Sequence, residues 1–262
     1  MADELSSEVR GPVRDLILVL ADSKRLLGMR YAGWILGAPE LEAGIACASM
    51  AQDEWGHGRL LYALLKDFGE DVDELEHGRE PGEYANIEVL DSAPGSWHDL
   101  VACNALLDGA LSVQFEAFSG SSYPMLRQRV DKLLDEERFH AAHGAAWLRR
   151  LAAGGDDSRS AMAEAIERIA PVVFRWFGPD SDRSKALVNS GVADAAGSEL
   201  RRRLAERVAP LLARAFDGSP VGLTEPTFHG FNETTRRTRP DGPDAATIRQ
   251  VRGDKNRAFL MD

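Results

Sequence analysis

The chain has 262 residues, of which 44% are hydrophobic, 28% charged and 7% aromatic. This is ordinary globular composition, long enough for a sizeable core and free of the bias of disordered or fibrous chains. Its 42 acidic and 31 basic residues give a formal charge of -11, which repels nucleic acid and anionic membranes at long range and argues against both as partners. The opening MADELSSEVRGPVRD lacks the basic and apolar regions of a signal peptide. No apolar run approaches the ~18 residues of a membrane span, so a cytoplasmic protein is expected.

Apolar residues recur at helical spacing along most of the chain, without the alternation that marks strands. The first helix, expected over 11–34, carries the inward stripe Val13, Ile17, Leu20, Lys24, Leu27, Tyr31 and Trp34, which turns Lys24 toward the core. Asp22 lies about 200° from Lys24 on the helix wheel and faces elsewhere. After the break at Gly37-Ala38-Pro39, a second helix over 39–68 has the stripe Cys47, Met50, Ala51, Glu54, His57, Gly58, Leu61, Leu64 and Leu65. Glu54 and His57 therefore point inward, whereas Asp53 and Arg59 fall on other faces as solvated charges.

A longer connection, Gly69 to Ser96, leads to a third helix over 96–119, where Asp108 shares a stripe with Val101, Ala105, Leu111, Phe115 and Phe118. The fourth helix, over 123–153, follows Ser121-Ser122-Tyr123-Pro124 and repeats the second: Leu126, Val130, Leu133, Glu137, His140, Gly144, Leu148 and Leu151 form one stripe with a second Glu-x-x-His inside it. His143 falls off that stripe. Further helices are expected over 158–177, 181–189 and 193–216. After Phe216 the chain turns to Gly, Pro, Thr, Arg and Asp, too polar for a core of its own. The expected division is a helical domain over 1–217 and an extended arm over 218–262, the arm either disordered or docked on a partner subunit. Cys47 and Cys103 lie in apolar helical stretches as buried, reduced thiols.

Short turns make antiparallel neighbours, so helices one and two pair, as do three and four, with one crossover between the pairs. The expected fold is all-α: a ferritin-like four-helix bundle with additional C-terminal helices and an extended tail. Burying Glu54, Asp108 and Glu137 without a cation is costly. Two divalent ions bound by carboxylates and by paired Glu-x-x-His turns are the compensation that bundles of this type use. One Glu-x-x-His is a weak signal; two copies on the apolar stripes of alternate helices are a stronger one. The candidate metal ligands are Glu54, His57, Asp108, Glu137 and His140.

The run Gln52-Asp53-Glu54-Trp55-Gly56-His57-Gly58-Arg59-Leu60-Leu61-Tyr62 resembles the second-helix motif of the phenylacetyl-CoA oxygenase family. Asp135-Glu136-Glu137-Arg138-Phe139-His140 resembles the fourth-helix motif of the family's catalytic chain. Leu20-Ala21-Asp22, Ala38-Pro39-Glu40-Leu41-Glu42, Leu107-Asp108-Gly109-Ala110, Phe115-Glu116-Ala117 and Gly191-Val192-Ala193 are more similar to the family's non-catalytic partner chain. The resemblance covers about residues 12 to 215. It implies a ferritin-like di-iron protein that epoxidises a CoA-linked aromatic ring together with a reductase and a second ferritin-like subunit, in a homo- or hetero-oligomer. It also implies a glutamate on helix one, where this chain has Lys24 or its neighbour Arg25. Either Lys24 snorkels outward and water or Asp22 completes the site, or its ammonium lies inside and pairs with Glu54 or Glu137.

The leading expectation is an oxygenase component for an aromatic acyl-CoA, with Glu54, Glu137 and Lys24 as candidate catalytic groups and iron as cofactor, either as a di-iron centre or as a partly degenerate single-metal site. The alternative is a non-catalytic scaffold or partner subunit. Iron storage or peroxide detoxification ranks last, because the chain after residue 153 exceeds a minimal bundle. Arg127, Arg129, Lys132 and Arg138, or Arg201, Arg202 and Arg203, are weak candidates for CoA phosphates, since charged helix faces are usually just solvated.

Overall fold

The computed structural model describes residues 5–218, 223 and 225–253. Of the arm expected over 218–262, residues 219–222, 224 and 254–262 lie outside the described residues. Among those described there are nine α-helices and no strand. They divide into two compact units, Met1–Ala93 with Asn232–Asp262, and Pro94–Phe231.

Unit 1 is built on α1 (Ser7–Ala32) and α2 (Leu41–Leu65). Gly28 faces Ala51 and Trp55 while Gly58 faces the Arg25 backbone, an order that runs the two helices antiparallel. Two missing side chains let the backbones approach closely. The helix α1 starts four residues before its expected boundary and carries Pro12 inside, at the cost of one backbone hydrogen bond.

From Leu16 to Lys24 this helix is buried on every side, which a single-stripe reading does not anticipate. The cause is the connection after α2, whose short 3₁₀ and π turns wrap the second face of α1. The Ala85 N–H donates to Asp22 Oδ2 at 2.8 Å and the Ile87 N–H to Ser23 Oγ at 3.1 Å.

The polar segment from Asn232 onward belongs to this same unit. Arg237 donates to both carboxylate oxygens of Asp91 at 2.9 and 2.8 Å, and Glu88 accepts from the Arg239 N–H at 2.7 Å. The last described helix, α9 (Ala245–Arg252), is capped by Asp244, whose Oδ1 accepts from the Thr247 N–H at 2.7 Å. Charged residues too polar to form a core are thus stapled to the connection by paired ions and backbone donors.

Unit 2 holds α3 (Trp97–Ala102), a π-helical turn (Cys103–Asp108), α4 (Gly109–Glu116), α5 (Pro124–Ala152), α6 (Asp156–Trp176), α7 (Asp182–Asn189) and α8 (Gly197–Ala215). Ser96 caps α3 through its hydroxyl, and Pro124 opens α5 at the first turn, where its missing N–H costs nothing. The single regular helix expected over 96–119 is in fact broken by the π turn. Its stripe is also less distinct than expected, because Ala105 is only half-buried whereas Leu106 and Leu107 are buried. Trp97 meets Trp147 edge to face with centroids 5.0 Å apart, which fixes α3 against α5.

Candidate metal centre

In unit 1, Lys24 on α1 reaches Glu54 on α2. Its Nζ lies 3.0 Å from Glu54 Oε1, and both side chains are completely buried. The helical phase that turned Lys24 inward is therefore realised, and of the two arrangements left open the internal ammonium is present. Asp22 is engaged elsewhere: Arg79 binds both its oxygens, and the Tyr62 hydroxyl donates to Oδ1. Burial works against the Arg79 charge, but the attraction of Asp22 outweighs it and holds the guanidinium pKa above its usual value. This Asp22–Arg79–Tyr62 network was missed in the sequence, because Arg79 lies in an irregular connection with no periodic pattern. His57 is buried one turn after Glu54 on the same face of α2. Its nitrogens join no convergent group of three or more donors among the described residues.

In unit 2, three of the expected ligands meet. His140 Nδ1 lies 3.0 Å from Asp108 Oδ2 and 3.8 Å from Glu137 Oε2, and all three side chains are buried. One donor atom of each lies within 4.8 Å of the others. Donors held at right angles by bonds of about 2.1 Å lie about 3 Å apart, so this spacing suits a single ion. Without one, the 3.0 Å contact between His140 Nδ1 and Asp108 Oδ2 requires one proton between the two atoms, so a metal and that proton compete for one place. Two carboxylates and an imidazole are a donor set suited to iron, manganese or zinc. In unit 1, by contrast, the Lys24 ammonium beside Glu54 offers a metal three N–H donors and no lone pair.

Local structure holds the three ligands in place. Asp108 ends the π turn, a rare form that is frequent at functional sites. Asn104, at the other end of that turn, donates to Asp108 Oδ2 at 3.4 Å. A side chain at residue 144 would overlap the Asn104 carboxamide, so Gly144 on α5 makes room for it. The Ser112 hydroxyl lies 3.0 Å from the Asp108 carbonyl and 3.2 Å from Glu137 Oε2. Neither Asn104 nor Ser112 was singled out in the sequence, although both lie four residues from Asp108, the spacing that places helical residues side by side.

The Arg201-Arg202-Arg203 run is engaged within unit 2: Arg201 donates to the Gly178 carbonyl, and Arg202 and Arg203 pair with Glu199. Both cysteines are buried, and burial pushes the Cys47 thiol up to about 11. No described helix is long and apolar enough to cross a membrane.

Residues 1–235 match the family model described as phenylacetic acid catabolic protein, a family whose fold is ferritin-like and helical. The expected all-α, ferritin-like class is the one the chain adopts. Two Escherichia coli K12 proteins, both subunits of 1,2-phenylacetyl-CoA epoxidase, are similar. The first is 28% identical over 189 residues, which cover 71% of this chain and 61% of that protein. The second is 29% identical over 178 residues, which cover 67% of this chain and 71% of that protein. The chain thus spans about three-fifths of the length of the first of these relatives.

Proposed function

The chain belongs to the phenylacetic acid catabolic protein family, and on that premise we propose that it is a metal-dependent oxygenase component acting on an aromatic acyl-CoA. The observation that carries this reading is the buried convergence of Asp108, Glu137 and His140. In this proposal these three residues hold iron. The iron, when bound, would supply the dioxygen chemistry that amino-acid side chains lack. The proposed occupancy is about one ion per chain rather than two, because the ammonium paired with Glu54 repels a divalent ion there and supplies no ligand.

The chain's own residues perform the supporting tasks. Lys24 holds Glu54 in a fixed orientation, Ser112 and Asn104 orient Glu137 and Asp108, and His140 carries the proton that leaves when metal enters. The proposed partners, in the cytoplasm, are a reductase and a second ferritin-like subunit. The resemblance to proteins named as subunits supports this. So do Ile35, Leu36, Leu41 and Ile45, exposed apolar residues at the α1–α2 turn.

One observation favours a second reading. A completely buried ammonium at Glu54 is what a non-catalytic partner subunit would retain in place of a metal charge. Iron analysis separates the two readings. Protein produced with added iron should carry about one ion per chain, lost in Glu137→Ala, and should turn over phenylacetyl-CoA with O₂ when supplied with reductant and partner. Wild type holding no more iron than Glu137→Ala would overturn the oxygenase reading and leave the partner-subunit reading in its place. A stable monomer that captures no second ferritin-like chain would count against both.

A further inference from the structure

Unit 1 holds a pocket of about 370 Å³ on a different face of the α1–α2 hairpin from Glu54 and His57. Its walls include Arg25 and Met29 of α1 and Gln52, Trp55, Arg59 and Tyr62 of α2, spaced by three, four and seven residues so that they fall on one side of each helix. The Glu76 carboxylate of the following connection is also in the lining. Gln250 and Val251 of α9 form a further wall, and these two residues lie beyond the span matched by the family. The volume is within the range of small-molecule sites, which runs from about 300 to 1,000 Å³.

The chemistry of the walls is divided. Trp55, Met29, the Tyr62 ring and Val251 supply an apolar surface. The indole is seated by Gly28, where a Cβ would come within 2.7 Å of Trp55 Cδ1 and Nε1. Arg25 is already engaged, donating to Glu76 at 2.8 Å and to the Val251 carbonyl at 3.1 Å. It therefore ties α9 to the pocket rather than offering its charge to a ligand. The Arg59 guanidinium, the Gln52 amide and the Trp55 indole N–H have no hydrogen-bond or ion-pair partner among the described residues. With Glu76 neutralising Arg25, the local surplus is the single positive charge of Arg59, in a chain whose formal charge is -11.

We infer that this pocket binds a small organic anion with a flat aromatic body, the ring lying against Trp55, Met29 and Val251 and the anionic group meeting Arg59. A guanidinium forks onto carboxylate and phosphate alike, and the indole N–H and Gln52 amide complete the donor set. Because Val251 and Gln250 are walls, the site exists only while α9 is docked. It does not depend on the oxygenase reading, since none of its walls is a proposed iron ligand.

Calorimetric titration of the full chain with 1-naphthoate, 1-naphthyl phosphate and the uncharged 1-naphthamide tests the assignment. At least one anion should bind about tenfold or more tightly than the amide, and the tighter of the two identifies the group the site is built for. Arg59→Gln, an exposed position, should remove that preference and leave amide binding unchanged. Gly28→Ala, with its fold checked by circular dichroism, should weaken all three ligands by displacing the indole. No binding of either anion at millimolar concentration, or Arg59→Gln binding both as the wild type does, would overturn the inference.

Discussion

Glu54 on α2 and Glu137 on α5 each head a Glu-x-x-His turn, yet Glu54 is held by the Lys24 ammonium, whereas Glu137 faces the Ser112 hydroxyl and the His140 ring. Both are buried carboxylates with the cost that entails. In unit 1 part of that cost is offset by a covalently attached cation that cannot leave. In unit 2 the contact between His140 and Asp108 is held by an exchangeable proton, which a metal ion can replace. The same four-residue motif therefore has two chemical meanings, decided by a side chain about 30 residues away for Glu54 and by the residues after Asp108 for Glu137.

The sharpest way to break this comparison is to remove the fixed cation. Lys24→Met leaves the Glu54 carboxylate buried beside a thioether and should destabilise the metal-free protein by about 3 kcal/mol or more, as urea denaturation would show. Lys24→Glu should act differently. It adds a carboxylate beside Glu54, so its stability should depend on metal and its iron content should rise from about one toward two per chain. Unchanged stability in the first variant and unchanged iron content in the second would mean that the buried contact has neither consequence.

A smaller effect is expected from the support around the three ligands. Ser112→Ala removes the hydroxyl that orients Glu137 without removing a ligand. Loss of such outer contacts typically weakens metal binding by about 10- to 100-fold. Competition against a chelator would measure it, and the loss should be confined to the metal-loaded protein. If Ser112→Ala binds iron as tightly as wild type, Glu137 is positioned by helix packing alone.

Periodicity was enough to place Lys24, Glu54, Asp108, Glu137 and His140 on inward faces, because each interrupts an otherwise apolar stripe and a charge there must be explained. The helices up to Ala215 lie within a few residues of their expected bounds for the same reason, whereas α9 falls inside the arm expected to be extended. Other features escaped. The π turn at Cys103–Asp108 adds no residue type that a pattern could register. The surroundings of Asp22 are not legible from one stripe on α1, because the connection that covers the other side of the helix has no periodicity to reveal where it runs. The docking of the segment after Asn232 depends on Arg237 finding Asp91, about 150 residues earlier in the chain, a pairing that composition cannot disclose.

The smallest expected effect separates His143 from His140, one turn apart on α5. His140 is held against carboxylates, whereas both ring nitrogens of His143 are buried without a hydrogen-bond partner. Burial, and secondarily the charge of His140, lowers the His143 pKa from its usual 6.5. The unfolded chain then binds more protons at this residue than the folded one near pH 6. The contribution of neutral His143 is therefore present above pH 6.5 and is lost as the pH falls through that value. His143→Gln keeps a neutral side chain of similar size and does not titrate, so it should flatten the decline in stability between pH 7 and pH 5. Because the side chain is only half-buried, the change should stay below the limit of about 1.4 kcal/mol per pH unit for one proton. Urea midpoints at the two pH values measure it. If the variant declines as steeply as wild type, the acid sensitivity resides elsewhere, and the proton shared by His140 and Asp108 becomes the group to test.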